Sequence, residues 1–232
     1  MKILALETSA VAASVAVCEE EALIAQSFQR TGLTHSATLM PMLEALMKNI
    51  GLSLNEIDLI SVAAGPGSFT GLRIGVSAAK GLAWAHGKPC AGVSTLEAMA
   101  WQMTGVHDVV CASMDARRQQ VYNALFNIED GKPVRLTSDR AISLDELGAE
   151  LAEMDKSIVF VGDGTQLCYN TFQSKGYPVR MPPEHLQFQS AWGVARCALE
   201  QARAGRLTDA AGVVPMYHRL SQAERERLAK QS

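Results

Sequence analysis

The chain runs to 232 residues, room for one or two domains at roughly 150 residues each. Its 48% hydrophobic and 19% charged content is that of a soluble globular protein, and no apolar run approaches the ~20 residues that span a bilayer. Lys and Arg number 21 against 24 Asp and Glu, a net charge of −3, which excludes the basic excess of a protein that grips nucleic acid unaided.

Lys2–Leu6, Val11–Val17 and Glu21–Phe28 read as three short strands, and connections this brief force antiparallel hairpins. A helix over Ser36–Ile50 ends at Gly51, a residue free to take the left-handed C-cap conformation. Ile57–Ala64 is a continuous apolar run, the mark of a strand buried on both faces, and Gly65-Pro66-Gly67 breaks it. A helix over Thr70–Ala85, a strand over Cys90–Val93 and a helix near Thr95–Met103 follow. Three strands, then helix, strand, helix, strand is the order of the ribonuclease H-like, actin-like ATPase unit; plain doubly wound folds open with a parallel crossover. Further on, Val109–Met114 and Gln120–Ile128 predict strands joined to a turn at residues 129–132. Ser143 and Glu146 have capping-box spacing, and Ile158–Val161 is a buried strand ended by Gly162-Asp163-Gly164. A long helix over Ser190–Arg203 precedes a polar tail from Ser221. The expected division is an N-terminal lobe over residues 1–105 and a smaller lobe over 106–232.

Little in the chain has the spacing that chemistry demands. Five cysteines (18, 90, 111, 168 and 197) lie far apart with no Cys-x-x-Cys, which points to reduced thiols, no structural zinc and a cytoplasmic address. Five histidines form no His-x-x-x-His pair, so no metal site is expected, and Gly-x-Ser-x-Gly is absent. The stretch Gly65–Gly71 lies between a buried strand and a helix N-terminus, where free amides and the helix dipole favour an anion. It lacks the Lys-Ser/Thr of a Walker A loop, and tight packing with Ser68 or Thr70 as N-cap is the better account of the glycines from loop chemistry alone. Gly65, Gly67, Ser68 and, on the turn Glu7-Thr8-Ser9, Thr8 are the candidates for nucleotide or phosphate contact. Arg117 and Arg118, beside Tyr122, are candidates for an RNA or complex contact, with a solvated turn as the alternative.

The helix faces say more. On Ser36–Ile50, Leu39, Leu43, Leu46 and Ile50 form a core stripe that Met40 and Met47 widen. On Thr70–Ala85 the polar residues shrink to Arg73, Ser77 and Lys80, while Ile74, Ala78, Gly81, Leu82 and Ala85 add a second apolar side to Leu72, Val76, Ala79 and Ala83. A helix apolar nearly all round needs cover, from the second lobe or from a partner.

Leu-Glu-Thr-Ser at 6–9, His35 with Pro41, Gly-Pro-Gly-Ser-Phe-Thr-Gly-Leu-Arg-Ile-Gly at 65–75, Gly-Val-Ser-Thr-Leu at 92–96 and Asp-Ala-Arg-Arg at 115–118 together resemble the bacterial TsaB (YeaZ) family. The C-terminal Pro-x-Tyr-x-Arg and Ala-Glu-Arg-Glu extend the likeness along nearly the whole chain. The resemblance implies an actin-like (ASKHA) fold of two lobes and a part in making N6-threonylcarbamoyladenosine beside the tRNA anticodon. It implies a non-catalytic subunit that binds and activates TsaD, together with TsaE, and that forms a homodimer when TsaD is absent. ATP and metal then belong to TsaD and TsaE, tRNA is met through the complex, and no cofactor is expected on this chain alone. Ungapped alignment with TsaD from Gly65 sets Thr95 and Met99 where TsaD has its metal-holding histidines. The resemblance places the partner interface on the first-lobe helices, here Leu39, Met40, Leu43, Met47, Ile74, Ser77, Ala78 and Gly81. The alternative is an autonomous actin-like ATPase or kinase, or a glycoprotease-like peptidase.

Overall fold

The computed structural model describes residues 1–218. A five-stranded sheet comprises β1 (Lys2–Glu7), β2 (Ala13–Glu19), β3 (Ala22–Gln29), β4 (Leu59–Gly65) and β5 (Cys90–Ser94), in the order β3-β2-β1-β4-β5. The first three strands pair antiparallel, and β4 and β5 add in parallel beside β1. Helices α1 (His35–Ile50) and α2 (Phe69–His86) supply the crossovers, and α3 (Thr95–Trp101) leads from β5 into the second sheet. This is the ribonuclease H-like arrangement that the element order predicts.

The second sheet holds β6 (Val109–Asp115), β7 (Gln120–Glu129), β8 (Lys132–Arg135), β9 (Arg140–Ser143), β10 (Ile158–Val161) and β11 (Val179–Arg180), ordered β11-β10-β6-β7-β8 with β9 also on β7. Helices α4 (Leu144–Ala152), α5 (Thr165–Gln173), α6 (Glu184–Gln187) and α7 (Ala191–Arg203) complete the described elements. The Ser143–Glu146 capping box opens α4 as its spacing predicts.

Period-two alternation builds the layers. Leu4, Leu6, Ile60 and Val62 join α1 and α2 in one core, while Ile3, Ala5, Leu59 and Ala63 join α7 in another. That double use explains the unbroken apolar run in β4. Helix α3 works both ways: Ala98 and Trp101 pack with the first sheet and α7, and Leu96, Met99 and Ala100 pack on the second sheet. Beyond the second sheet lie α4 and α5 around Leu147, Leu151, Cys168 and Phe172. The sequence of layers is therefore α1/α2, first sheet, α3/α7, second sheet, α4/α5.

Two expectations need correction. Residues 106–232 are not one unit, because α7 returns to the first sheet and buries Val194, Ala198 and Leu199 there. The chain after α7 stays with that sheet and passes its β5 edge to the α2 side, with Thr208 bridged to Cys90, Val213 in the α1/α2 core and the Met216 amide donating to Ala64 O at 2.7 Å. Leu43 and Met47 are buried in the chain's own core rather than on the outer surface, and Leu39, also buried, is reached only at the floor of the groove between α1 and α2. The end of α1 that carries Met47 is closed over by the chain leaving through Leu52 and Leu54, which join the same core. The tail from Ser221, Arg219 and Ala-Glu-Arg-Glu lie outside the described residues.

Candidate functional site

The motifs scattered along the chain meet around the turn that follows β1. Thr8 is buried and its Oγ1 donates to Gly71 O at 2.8 Å, while Ser68 N donates to Ser9 O at 2.6 Å. His35 Nε2, at the start of α1, lies 2.7 Å from Ala10 O. A Cβ on Gly67 would come within 2.5 Å of Ser9 O, and Cβ atoms on Gly71 and Gly75 would land on Thr8 O and Thr8 Oγ1. Gly65 has a φ of 139°, and a Cβ there would strike Met216 O. Each glycine is thus required by close approach of a backbone or side-chain atom from the β1 turn or of backbone from the C-terminal segment. The amides at the start of α2 are engaged as well: Gly71 N with Ser68 Oγ at 3.3 Å and Leu72 N with Ser68 O at 2.8 Å. Gly65, Gly67, Ser68 and Thr8 are brought together as a packed joint, with the space above Gly67 taken by the β1 turn and the Ser68, Gly71 and Leu72 amides engaged.

The C-terminal segment straps α2 from outside. Lys80 Nζ donates to Ala211 O and Val213 O, both at 3.2 Å. Arg73 lies 3.8 Å over the Phe69 ring and its Nε donates to the Tyr217 hydroxyl at 3.0 Å. Phe69 and Tyr217 pack at 4.9 Å between centroids. Arg73 and Lys80 of the polar stripe of α2 are therefore engaged within the chain, Ser77 is left facing outward, and the second lobe, two layers away, does not cover this helix.

Among the described residues, what remains uncovered is the outward side of α1 and α2. Met40 is 43% exposed, Ile74 and Ala78 are half-buried, and Ser77 and Gly81 are exposed. A Cβ on Gly81 would meet nothing within 4 Å. Between the helices runs a groove of about 540 Å³ lined by Met40, Phe69, Arg73, Ile74, Ser77 and Ala78 among others. Trp84, 84% exposed, extends the row one turn beyond Gly81. Sequence reasoning passed over Trp84, although its spacing from Ser77 and Gly81 is the helical one that would have found it.

At the lobe junction, Glu7 is buried and accepts from Ser9 N at 2.5 Å, and burial pushes its carboxyl up to about 7. Asp163, on the turn after β10, accepts from Gln189 Nε2 at 2.9 Å and is pushed by burial up to about 6. Arg117 and Arg118 sit on the β6–β7 turn with φ of 66° and 57°. Arg117 pairs with Asp115 at 3.5 Å and both arginines are exposed, away from the α1–α2 face.

Thr95 and Met99 are both fully buried. Met99 packs with Val110, Ala112 and Val161 of the second sheet, and its Sδ stands where a Cβ on Gly162 would fall. A threonine hydroxyl and a core thioether are a poor donor set for a hard or borderline metal, so these residues do not fit the metal that the resemblance assigns to TsaD.

Two sheets flanking a shared helical layer, with the first three strands antiparallel, define a protein of the actin-like ATPase fold. Known proteins narrow this further. The family model for TsaD, tRNA N6-adenosine threonylcarbamoyltransferase, matches residues 24–226. The tRNA threonylcarbamoyladenosine biosynthesis protein TsaB of Bacillus subtilis is 32% identical over 97% of this chain and 96% of its own length. TsaB of Escherichia coli K12 is 33% identical over 78% of this chain and 79% of its own. The structure of YeaZ from Pseudomonas aeruginosa superposes with a TM-score of 0.76 at 25% identity, covering 93% of this chain and 99% of that one. The chain belongs to the TsaB (YeaZ) family.

Proposed function

We propose that this chain takes part in tRNA threonylcarbamoyladenosine biosynthesis as the subunit that docks on and activates the TsaD-type transferase. The observation that carries the reading is the outward α1–α2 face. It holds an exposed methionine, a shallow groove, a glycine with open space above it and a solvent-facing tryptophan, while the other polar positions of α2 hold the C-terminal strap. Small residues let a partner helix approach closely, and methionine and tryptophan adapt and anchor such contacts. Met40, Ile74, Ser77, Ala78 and Gly81 make the contact, with the same face serving a homodimer in the partner's absence.

In this reading the chain performs no transfer itself. Thr95 and Met99 supply no imidazole, and the joint between Thr8 and the glycine block leaves no cradle for a phosphate. The transferase supplies metal and acceptor chemistry, TsaE joins the pair, and tRNA is met by the assembly, with Arg117 and Arg118 available to it. The net charge of −3 suits a contact shared with a more basic partner.

Light scattering on the chain alone, on the transferase from the same organism and on their mixture tests the reading. A complex heavier than either component, lost with Met40→Glu or Gly81→Glu in folded protein, is the expected result. Separate elution of the two proteins at tens of micromolar would remove the basis for this role.

A further inference from the structure

We propose that Arg73 reads charge on the outward α1–α2 face: its guanidinium, held in place by the chain itself, receives an Asp or Glu carboxylate of the docking transferase. The inference rests on the docking role proposed above and adds the chemistry that the partner must carry. Arg73 lies in the second turn of α2 and lines the groove with Met40, Phe69, Ile74, Ser77 and Ala78. Two contacts fix its side chain. The guanidinium carbon sits 3.8 Å over the Phe69 ring, and Nε donates to the Tyr217 hydroxyl at 3.0 Å. Phe69 and Tyr217 pack on each other, so helix and strap hold the arginine jointly.

Only Nε is used in this way. Nη1 and Nη2, the forked end of the guanidinium, have no hydrogen-bond partner and no ion pair among the described residues, on a side chain that is exposed. Such a fork matches a carboxylate, because its two outer nitrogens donate in parallel to both oxygens. Elsewhere the chain meets that demand internally: Arg140 donates to Glu150, and Arg135 donates to Glu97 and Asp139. At the groove it does not, since among the described residues no Asp or Glu lines it. The exposed Glu44, one turn beyond Met40 on α1, makes no ion pair with Arg73.

The complementary acid therefore comes from outside the chain. The ring stack and the Tyr217 hydrogen bond restrict the arginine before binding, so pairing it gives up less rotamer freedom than a loose side chain would. A second copy that presents the same groove lining sets Arg73 against no acid, and the residue thereby sorts the transferase from self-association. The apolar groove supplies contact area, and Arg73 supplies the charge that fixes register along it.

Titration calorimetry of the transferase from the same organism into folded wild type, Arg73→Gln, Arg73→Lys and Gly81→Glu, at about 50 and about 300 mM salt, tests the inference. Arg73→Gln should weaken the complex at least roughly tenfold at low salt and lose much of its salt dependence. Arg73→Lys should recover only part, because an ammonium cannot donate in parallel to both oxygens. Replacing the surface Asp and Glu residues of the transferase one at a time by Asn or Gln should find one whose effect vanishes in the Arg73→Gln chain. An arginine that only holds the strap would lower affinity equally at both salt concentrations and couple to no single acid, which would overturn the proposal. Wild-type affinity in Arg73→Gln, with binding still lost in Gly81→Glu, would overturn it too and leave the docking role standing. No binding by the wild-type chain would remove both. Sedimentation of the chain alone should show the same self-association with and without Arg73→Gln, and a loss there would assign the acid to a second copy instead.

Discussion

The two sides of α2 differ in a way that inverts first impressions. Its inner start, the glycine block from Gly65 to Gly75, is the most motif-like stretch of the chain, yet each glycine there answers to a backbone or side-chain atom of the β1 turn or the C-terminal strap. Its outer side, Ser77, Gly81 and Trp84, forms no motif and has no partner among the described residues to explain it. A glycine under contact is a packing requirement, whereas a glycine under open space on a half-apolar helix is room for something else. The contrast ties the loop to stability and makes the outer face the proposed recognition surface.

The sharpest way to break this contrast uses two methionines seven residues apart on α1. Met47→Glu buries an unpaired carboxylate and should cost about 4 kcal/mol, enough to unfold much of the population. Met40→Glu, on the exposed side, should change stability by no more than about 0.5 kcal/mol. Urea denaturation of both decides it, and equal losses would mean that Met40 is as internal as Met47. Gly71→Ala comes next, since its methyl meets Thr8 O, and a loss of about 2 kcal/mol is expected in the same assay.

Tyr217→Phe tests the strap at the small end of the scale. It removes the acceptor for Arg73 Nε and leaves the ring stack, so about 1 kcal/mol is expected, with loosened amide exchange confined to the segment from Thr208 onward. A loss spread over the whole first sheet would show that the strap is part of the global core.

Local chemistry made much of the fold legible. Short connections between Lys2 and Gln29 dictated hairpins, Gly51 and Gly87 ended helices in left-handed conformations, and Ser143 with Glu146 opened α4. Short or polar elements did not announce themselves: β8, β9 and β11 have at most four residues, and α5 opens on Gly164 with a sequence as polar as it is apolar. The return of α7 to the first sheet was also hidden, because its partners Ile3 and Leu59 lie more than 100 residues away in sequence. Periodicity placed Met40 and Met47 on one stripe, but only the path of the chain after Ile50 distinguishes the covered end from the open one. Thr8 and the glycines were identified as a group, while their mutual contacts, which decide between phosphate cradle and packed joint, depend on approaches across 60 residues of sequence.

Titration calorimetry of the cognate transferase into two folded variants tests the central claim most directly. Gly81→Glu adds a carboxylate to the outward face without an internal clash, and Ser68→Ala removes a hydroxyl from the glycine loop. The account predicts at least a roughly tenfold loss of affinity for Gly81→Glu and wild-type affinity for Ser68→Ala. Unchanged binding by Gly81→Glu, with binding lost on Ser68→Ala, would place recognition at the loop and contradict it.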